Sequence, residues 1–195
     1  MNDRIRGNTM TEYTTKYAAA VSYLESVGTE NVAHSSDGLL AHLEATSDLL
    51  QRWGNSDDIC LAGLCHAIYG TDGFEVSLLD ISQRNEVRAV VGEAAEKFVY
   101  FYASCDRQFF YPLIGNRPLR FRDRFTQAEF KPPEEMVCAC LELMLANDVE
   151  ISYREKRFLD YTRTHYSRFF LCSKDFVSTS AYSEYCDVYG VGPDF

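Results

Sequence analysis

Residues 39–70 read LLAHLEATSDLLQRWGNSDDICLAGLCHAIYG, two apolar-striped segments joined through Gly54-Asn55-Ser56-Asp57. In the first, Leu39, His42, Thr46, Leu49 and Trp53 recur at alternating three- and four-residue steps, the spacing that lines up side chains on one helical face. In the second, Ile59, Ala62, His66 and Tyr69 do the same. Gly54 stops one helix, and Ser56 or Asp57 is suited to cap the next, because a short polar side chain there accepts from an otherwise unpaired backbone N–H. The pattern predicts helices over about 37–53 and 58–68, with one inward-facing histidine on each. The second helix is almost wholly apolar and is expected at the centre of the fold.

Working outward, Tyr17, Val21 and Leu24 predict a helix over about 13–27, closed by Gly28, and residues 1–12 read as a flexible polar arm. Downstream, Gly70-Thr71-Asp72-Gly73 breaks the apolar helix. Asp80 and Gln83 have the spacing of a capping box that opens a helix to about 91, and Gly92 separates this from an aromatic-rich helix over about 93–104. Residues 119–125 alternate apolar and charged side chains, which predicts a short strand, half of a hairpin, in a small insertion near 117–130. Pro132 and Pro133 suit the start of a helix running to about 147, and a last helix is expected over about 153–171. The expectation is an all-α fold: one helical domain over 13–180, followed by a polar, Tyr-rich tail over 181–195.

The composition narrows the function classes. A chain of 195 residues suits a single core. Its net charge of −10, from 29 acids and 19 bases, argues against nucleic-acid or anionic-membrane partners, which call for clustered cations. A small, anionic molecule is the expected partner. Seven scattered cysteines without a CxxC pair give no zinc knuckle and no thioredoxin-type redox motif. The N-terminal stretch lacks an apolar core of signal-peptide length and no run approaches a membrane span, so a reduced, cytoplasmic protein is expected.

On the late helix Val137, Leu141 and Met144 are followed at the same spacing by Asp148. An inward carboxylate needs a partner, because an unpaired buried charge is costly. Each of His42, His66 and Asp148 taken alone fits a structural role: a hydrogen-bonded core histidine, a helix cap, an arginine partner. Together, on three helices, they make a two-histidine, one-carboxylate ligand set, which Fe(II), Mn(II) and Zn(II) all accept with positions left for water and substrate.

This layout resembles the HD-domain superfamily of metal-dependent phosphohydrolases, in which a His on one helix precedes a His-Asp pair at the end of the next and an Asp several helices later. The stretch CLAGLCHAIYGT at 60–71, followed by SLLDISQRNEVRAVVGEAAEKFVYFY at 77–102, is locally similar to the hydrolase domain of the alarmone (p)ppGpp hydrolases. The resemblance covers about residues 34–150. It implies an HD-like helical bundle, a divalent metal (Mn, Fe or Zn) held by His42, His66 and Asp148, and hydrolysis of a phosphoester or nucleotide-type small molecule. The motif is degenerate: the HD aspartate is Ala67 here, and Gly70 and Thr71 stand where the alarmone hydrolases carry their Glu-Asp pair. A bridged two-metal site is therefore not expected, but a single ion is.

With the usual acids missing, His34 and Tyr69 are the candidate catalytic groups, and His34 is alternatively a fourth ligand or a substrate contact. Thr71, Arg122 and Arg124 are candidate substrate contacts. Arg117, Arg120, Arg122 and Arg124 form a local basic patch suited to a phosphate or carboxylate, and suited equally to a solvated edge strand. Asp106-Arg107 reads as a helix-end pair and His165 as structural. Two other readings stand beside hydrolysis: a mononuclear non-haem iron oxygenase using the same triad, and a non-enzymatic HD-like protein that binds a ligand or partner.

Overall fold

The computed structural model describes residues 3–32, 38–74, 76–115, 118–165 and 171–191, with side chains from Glu12 onward. Ser56 caps the central helix as its sequence predicts, its hydroxyl accepting from the backbone N–H of Ile59, and Asp57 and Asp58 sit in the first turn where the helix dipole favours acids. This helix, α3 (Asp57–Cys65), lies between α2 (Gly38–Arg52) and α5 (Glu93–Ser104), and α2 also packs on the long α7 (Glu134–Arg154). The close approach of α2 and α3 depends on Gly63: a Cβ there would lie 2.5 Å from Leu50 Cδ1 and 3.4 Å from Ser47 Cα.

α1 (Asp3–Ser26) crosses α3 and α4 (Arg84–Val91). It begins well before Tyr13, so most of the stretch read as a flexible arm is helical. The capping box at Asp80 and Gln83 is present and leads through a 3-10 turn, Ile81–Gln83, into α4. A one-turn helix, α6 (Arg107–Phe110), follows α5. The fold is all-α with a small hairpin, in which β1 (Phe121–Arg122) pairs antiparallel with β2 (Glu129–Phe130), Phe121 opposite Phe130 and Arg122 opposite Glu129.

The strands are shorter than the alternation over 119–125 suggests. Asp123 turns the chain, its Oδ1 accepting from the backbone N–H groups of Phe125 and Thr126, with Gln127 left-handed at φ 61°. The hairpin is anchored by Phe121, fully buried and stacked on Phe101 at 4.1 Å.

α7 runs past the expected end near residue 147 to Arg154, because buried Glu150 in its last turns is paired with His42 and Arg154. The chain then breaks at Glu155, and α8 (Lys156–His165) and α9 (Thr179–Tyr189) pack back against α7. α9 takes up most of the segment read as a tail. Ser178 caps it, and buried Glu142 of α7 accepts from both the N–H and the hydroxyl of Ser178. Tyr185 and Tyr189 are buried, and the Tyr189 hydroxyl donates to the backbone oxygen of Asp148 at 3.0 Å. Among the described residues no helix is long and apolar enough to cross a membrane.

Candidate metal centre and adjoining cavity

His42, in the middle of α2, and His66, at the C-cap of α3, face each other in the core at 1% and 2% exposure. The Nδ1 of His66 lies 2.7 Å from the carbonyl oxygen of Gly63, one turn back on α3. A carbonyl only accepts, so this Nδ1 carries the ring proton and Nε2 the lone pair. The Nδ1 of His42 donates to Glu150 of α7, whose other carboxylate oxygen is paired with Arg154 one turn on. A second proton holder on each ring, carbonyl or carboxylate, is what orients imidazoles at metal centres.

The two Nε2 atoms are 3.3 Å apart. Asn147 brings a third acceptor: its amide nitrogen donates to Asp148 Oδ1 at 3.0 Å, which turns its Oδ1 toward His42 Nε2 at 3.2 Å. Lone pairs facing one another at this range repel unless a cation, a proton or a metal ion, sits among them. The spacing is long for a hydrogen bond. It matches the roughly 3.3 Å between two imidazole nitrogens that share one tetrahedral ion at bonds of ~2.0–2.1 Å.

The donor set differs from the expected one. Among the described residues no three His, Cys, Asp or Glu side chains come close enough to hold an ion. Asn147, not Asp148, presents its oxygen to His42, and Asp148 orients that amide. His34 lies outside the described residues.

Asn147 and Asp148 also line a cavity of about 670 Å³, within the usual size range of small-molecule sites. Thr71, Asp72 and Arg107 supply its other polar wall, and Phe74, Tyr111, Phe158 and Tyr161 its apolar one. Burial pushes the Asp148 carboxyl up to about 6, against the opposing pull of Arg107, the Asn147 amide and His42. Burial also works against the charge on Arg107, but the hydroxyls of Tyr111 and Tyr102 and the carboxyl of Asp148 outweigh it, and the guanidinium stays charged. Arg107 is placed by two contacts. Its backbone N–H donates to Asp72 Oδ2 at 2.8 Å, and its Nη2 donates to the hydroxyl of Tyr102 at 2.9 Å, whose ring packs edge-on against His66.

Of the expected site residues, the structure brings His42 and His66 together and puts Thr71 and Asp148 on the cavity wall. Thr71 is held there by the turn at Gly70 (φ 67°), where a Cβ would come within 3.2 Å of the Val76 carbonyl, and by a bridge to Phe74. Tyr69 is turned away: its hydroxyl donates to Glu96 at 3.2 Å, in a cluster with Arg84 and Arg88. Arg122 pairs across the hairpin with Glu129 and with Asp106. Arg124 donates to the carbonyls of Ala103 and Gly70 at 2.6 and 3.2 Å, tying the end of α5 to the Gly70 turn. Neither arginine is among the cavity residues.

Asn147 and Glu150 carry the site without having been singled out, and Arg107, read as half of a helix-end pair with Asp106, lines the cavity. The signal for the first two is the polar run in LANDVEISYR, where 147, 150 and 154 share a face of a helix that is otherwise buried. No local signal marks Arg107, which reaches the cavity through the distant Asp72.

A protein-family model, Domain of unknown function (DUF6817), matches residues 23–107, a stretch that holds His42, His66 and the Gly70 turn and ends before α7. Neither the curated proteins nor the solved structures contain a match to the chain.

Proposed function

We propose that this chain is an HD-like protein that holds one divalent metal ion through His42, His66 and Asn147 and hydrolyses a phosphoester of a small molecule seated in the adjoining cavity. The observation that carries the reading is the approach of the two Nε2 atoms to 3.3 Å, on rings whose Nδ1 atoms face the Gly63 carbonyl and the Glu150 carboxylate. Mn(II), Fe(II) and Zn(II) all suit imidazole and oxygen donors. When bound, such an ion supplies a water of lowered pKa and polarises a phosphoryl oxygen.

The remaining work falls to side chains of the chain. Glu150, steadied by Arg154, fixes the tautomer of His42 and keeps its Nε2 basic. Asp148 holds the Asn147 amide in register and, with its carboxyl near 6, can hold or release a proton at the cavity wall close to neutral pH. Arg107 offers a charged fork to a substrate oxygen. Ala67 in place of the HD aspartate supports a single-ion site.

Elemental analysis of protein purified anaerobically without an affinity tag tests the reading. About one Mn, Fe or Zn per chain is expected, lost in a His42→Ala/His66→Ala double variant; no metal after reconstitution overturns it. Iron with oxygen consumption would redirect the chemistry to the oxygenase class. Among the described residues no third His, Cys, Asp or Glu completes a ligand set with the pair, which favours a second reading, in which a proton bridges the histidines and the chain binds a ligand without turning it over. In that case the protein stays metal-free even after reconstitution.

A further inference from the structure

The cavity wall carries an uneven set of charges. Among the described residues lining it, Arg107 is the cation, and it faces two carboxyl groups, Asp72 and Asp148. The protein engages the guanidinium sparingly: Nη2 donates to Tyr102, while Nε is buried with no acceptor. A planar group with five N–H donors that its own fold uses so little is completed by an acceptor from outside.

Asp72 is already committed to the backbone of Arg107, so its carboxylate stays where it is when a ligand enters. One anionic group on a ligand is matched by Arg107. Further negative charge meets the Asp72 carboxylate, with no second cationic side chain among the described residues that line the wall. Phe74, Tyr111, Phe158 and Tyr161 add aromatic surface to the cavity on which a flat ring packs, Tyr161 being stacked on His165 at 4.4 Å and still 49% exposed.

We infer that the cavity takes a small molecule with a single anionic group and a flat apolar body, and that it discriminates against polyphosphates. This rests on the reading above in taking the cavity as the substrate's seat, but binding alone tests it. The full chain is titrated calorimetrically, with and without EDTA, using bis(4-nitrophenyl) phosphate and 2-naphthoate as monoanions and adenosine triphosphate as the polyanion. The monoanions are expected to bind at least about tenfold more tightly than the triphosphate, and Arg107→Met to weaken them by about tenfold or more. Because Arg107 also holds Tyr102, Asp72→Asn serves as a second variant that leaves the cation in place, its amide oxygen still able to accept from the Arg107 N–H; it is expected to raise triphosphate affinity about threefold or more at pH 7.5.

Equal or tighter binding of the triphosphate, no effect of Asp72→Asn on the preference, or no binding of either monoanion overturns the inference. Failure of the metal reading looks different. The elemental analysis is then blank, while the monoanions still bind, unchanged by EDTA and dependent on Arg107.

Discussion

Glu96 on α5 and Glu150 on α7 are both buried, at 0% and 5% exposure, and the two are used in opposite ways. Glu96 is saturated. Arg84 takes it with Nε and Nη2 at 2.6 and 2.9 Å, Arg88 with Nε at 3.0 Å, and Tyr69 with its hydroxyl at 3.2 Å. Arginine does not titrate in the working range, so the cluster is locked, and it ties α3's end, α4 and α5 together. Glu150 instead holds a histidine whose far nitrogen faces two more acceptors beside a cavity. One carboxylate completes a structure. On the proposed metal reading, the other prepares a ring nitrogen for a cation.

Glu96→Ala is the largest break in this comparison. Removing the acid strands two guanidiniums, and full burial would put the loss at about 3–5 kcal/mol. Arg84 and Arg88 keep 25% and 38% of their surface, so roughly 2–3 kcal/mol is expected in urea unfolding, with metal content of the folded fraction unchanged. A loss of metal there would merge the two clusters and sink the distinction.

Glu150→Gln sharpens the other side. An amide still reaches His42 Nδ1 but no longer raises the basicity of the ring, and metal affinity should fall about 10–100-fold, with little change in melting temperature. An unchanged metal affinity would return Glu150 to a purely structural role.

Two carboxyl groups also give the pH profile opposite slopes. Neighbouring arginines lower Glu96 despite its burial, so its stabilisation is present above the ordinary carboxylate range and is lost as pH falls through its depressed value. Asp148 is raised to about 6 by burial, so its protonated form favours the fold, and stability drains away as pH climbs from about 4 to 6. Asp148→Asn should remove that second slope and stabilise the metal-free protein at pH 7.5 by about 1–3 kcal/mol, measured by thermal unfolding across pH. The smallest effect is expected from Arg122→Ala. Its pairs lie on the hairpin surface, so monoanion binding should not move and the melting temperature should shift little; a lost affinity would place the hairpin in the site after all.

Much of this was readable along the chain. Ser56 and the Asp80–Gln83 box cap where their spacing says they should, and His42 and His66 face inward because helical periodicity puts them among Leu39, Leu49 and Ala62. The hairpin is in place, though Asp123 shortens it by diverting the backbone into a turn. The end of α7 is harder to read, since ANDVEISYR has the polarity of a helix exit and becomes helix interior only when His42 and Arg154 neutralise Glu150. Tyr69 shares a stripe with His66, but His66 sits at the last turn of α3, and the chain past it swings the phenol toward α5.

Helix faces, caps and turns follow from interactions among residues a few positions apart, which is why residue order suffices for them. The identity of the group that meets His42 does not. Asn147 and Glu150 share a face of α7 and both meet the His42 ring, while Asp148 lies on the cavity wall, so the roll and stagger of α7 on α2 select which of the three reach the ring. Packing of side chains along both helices sets that roll, and packing likewise joins Asp72 to Arg107 across the cavity mouth. Local chemistry therefore places two histidines in the core, and the assembled bundle chooses their partners.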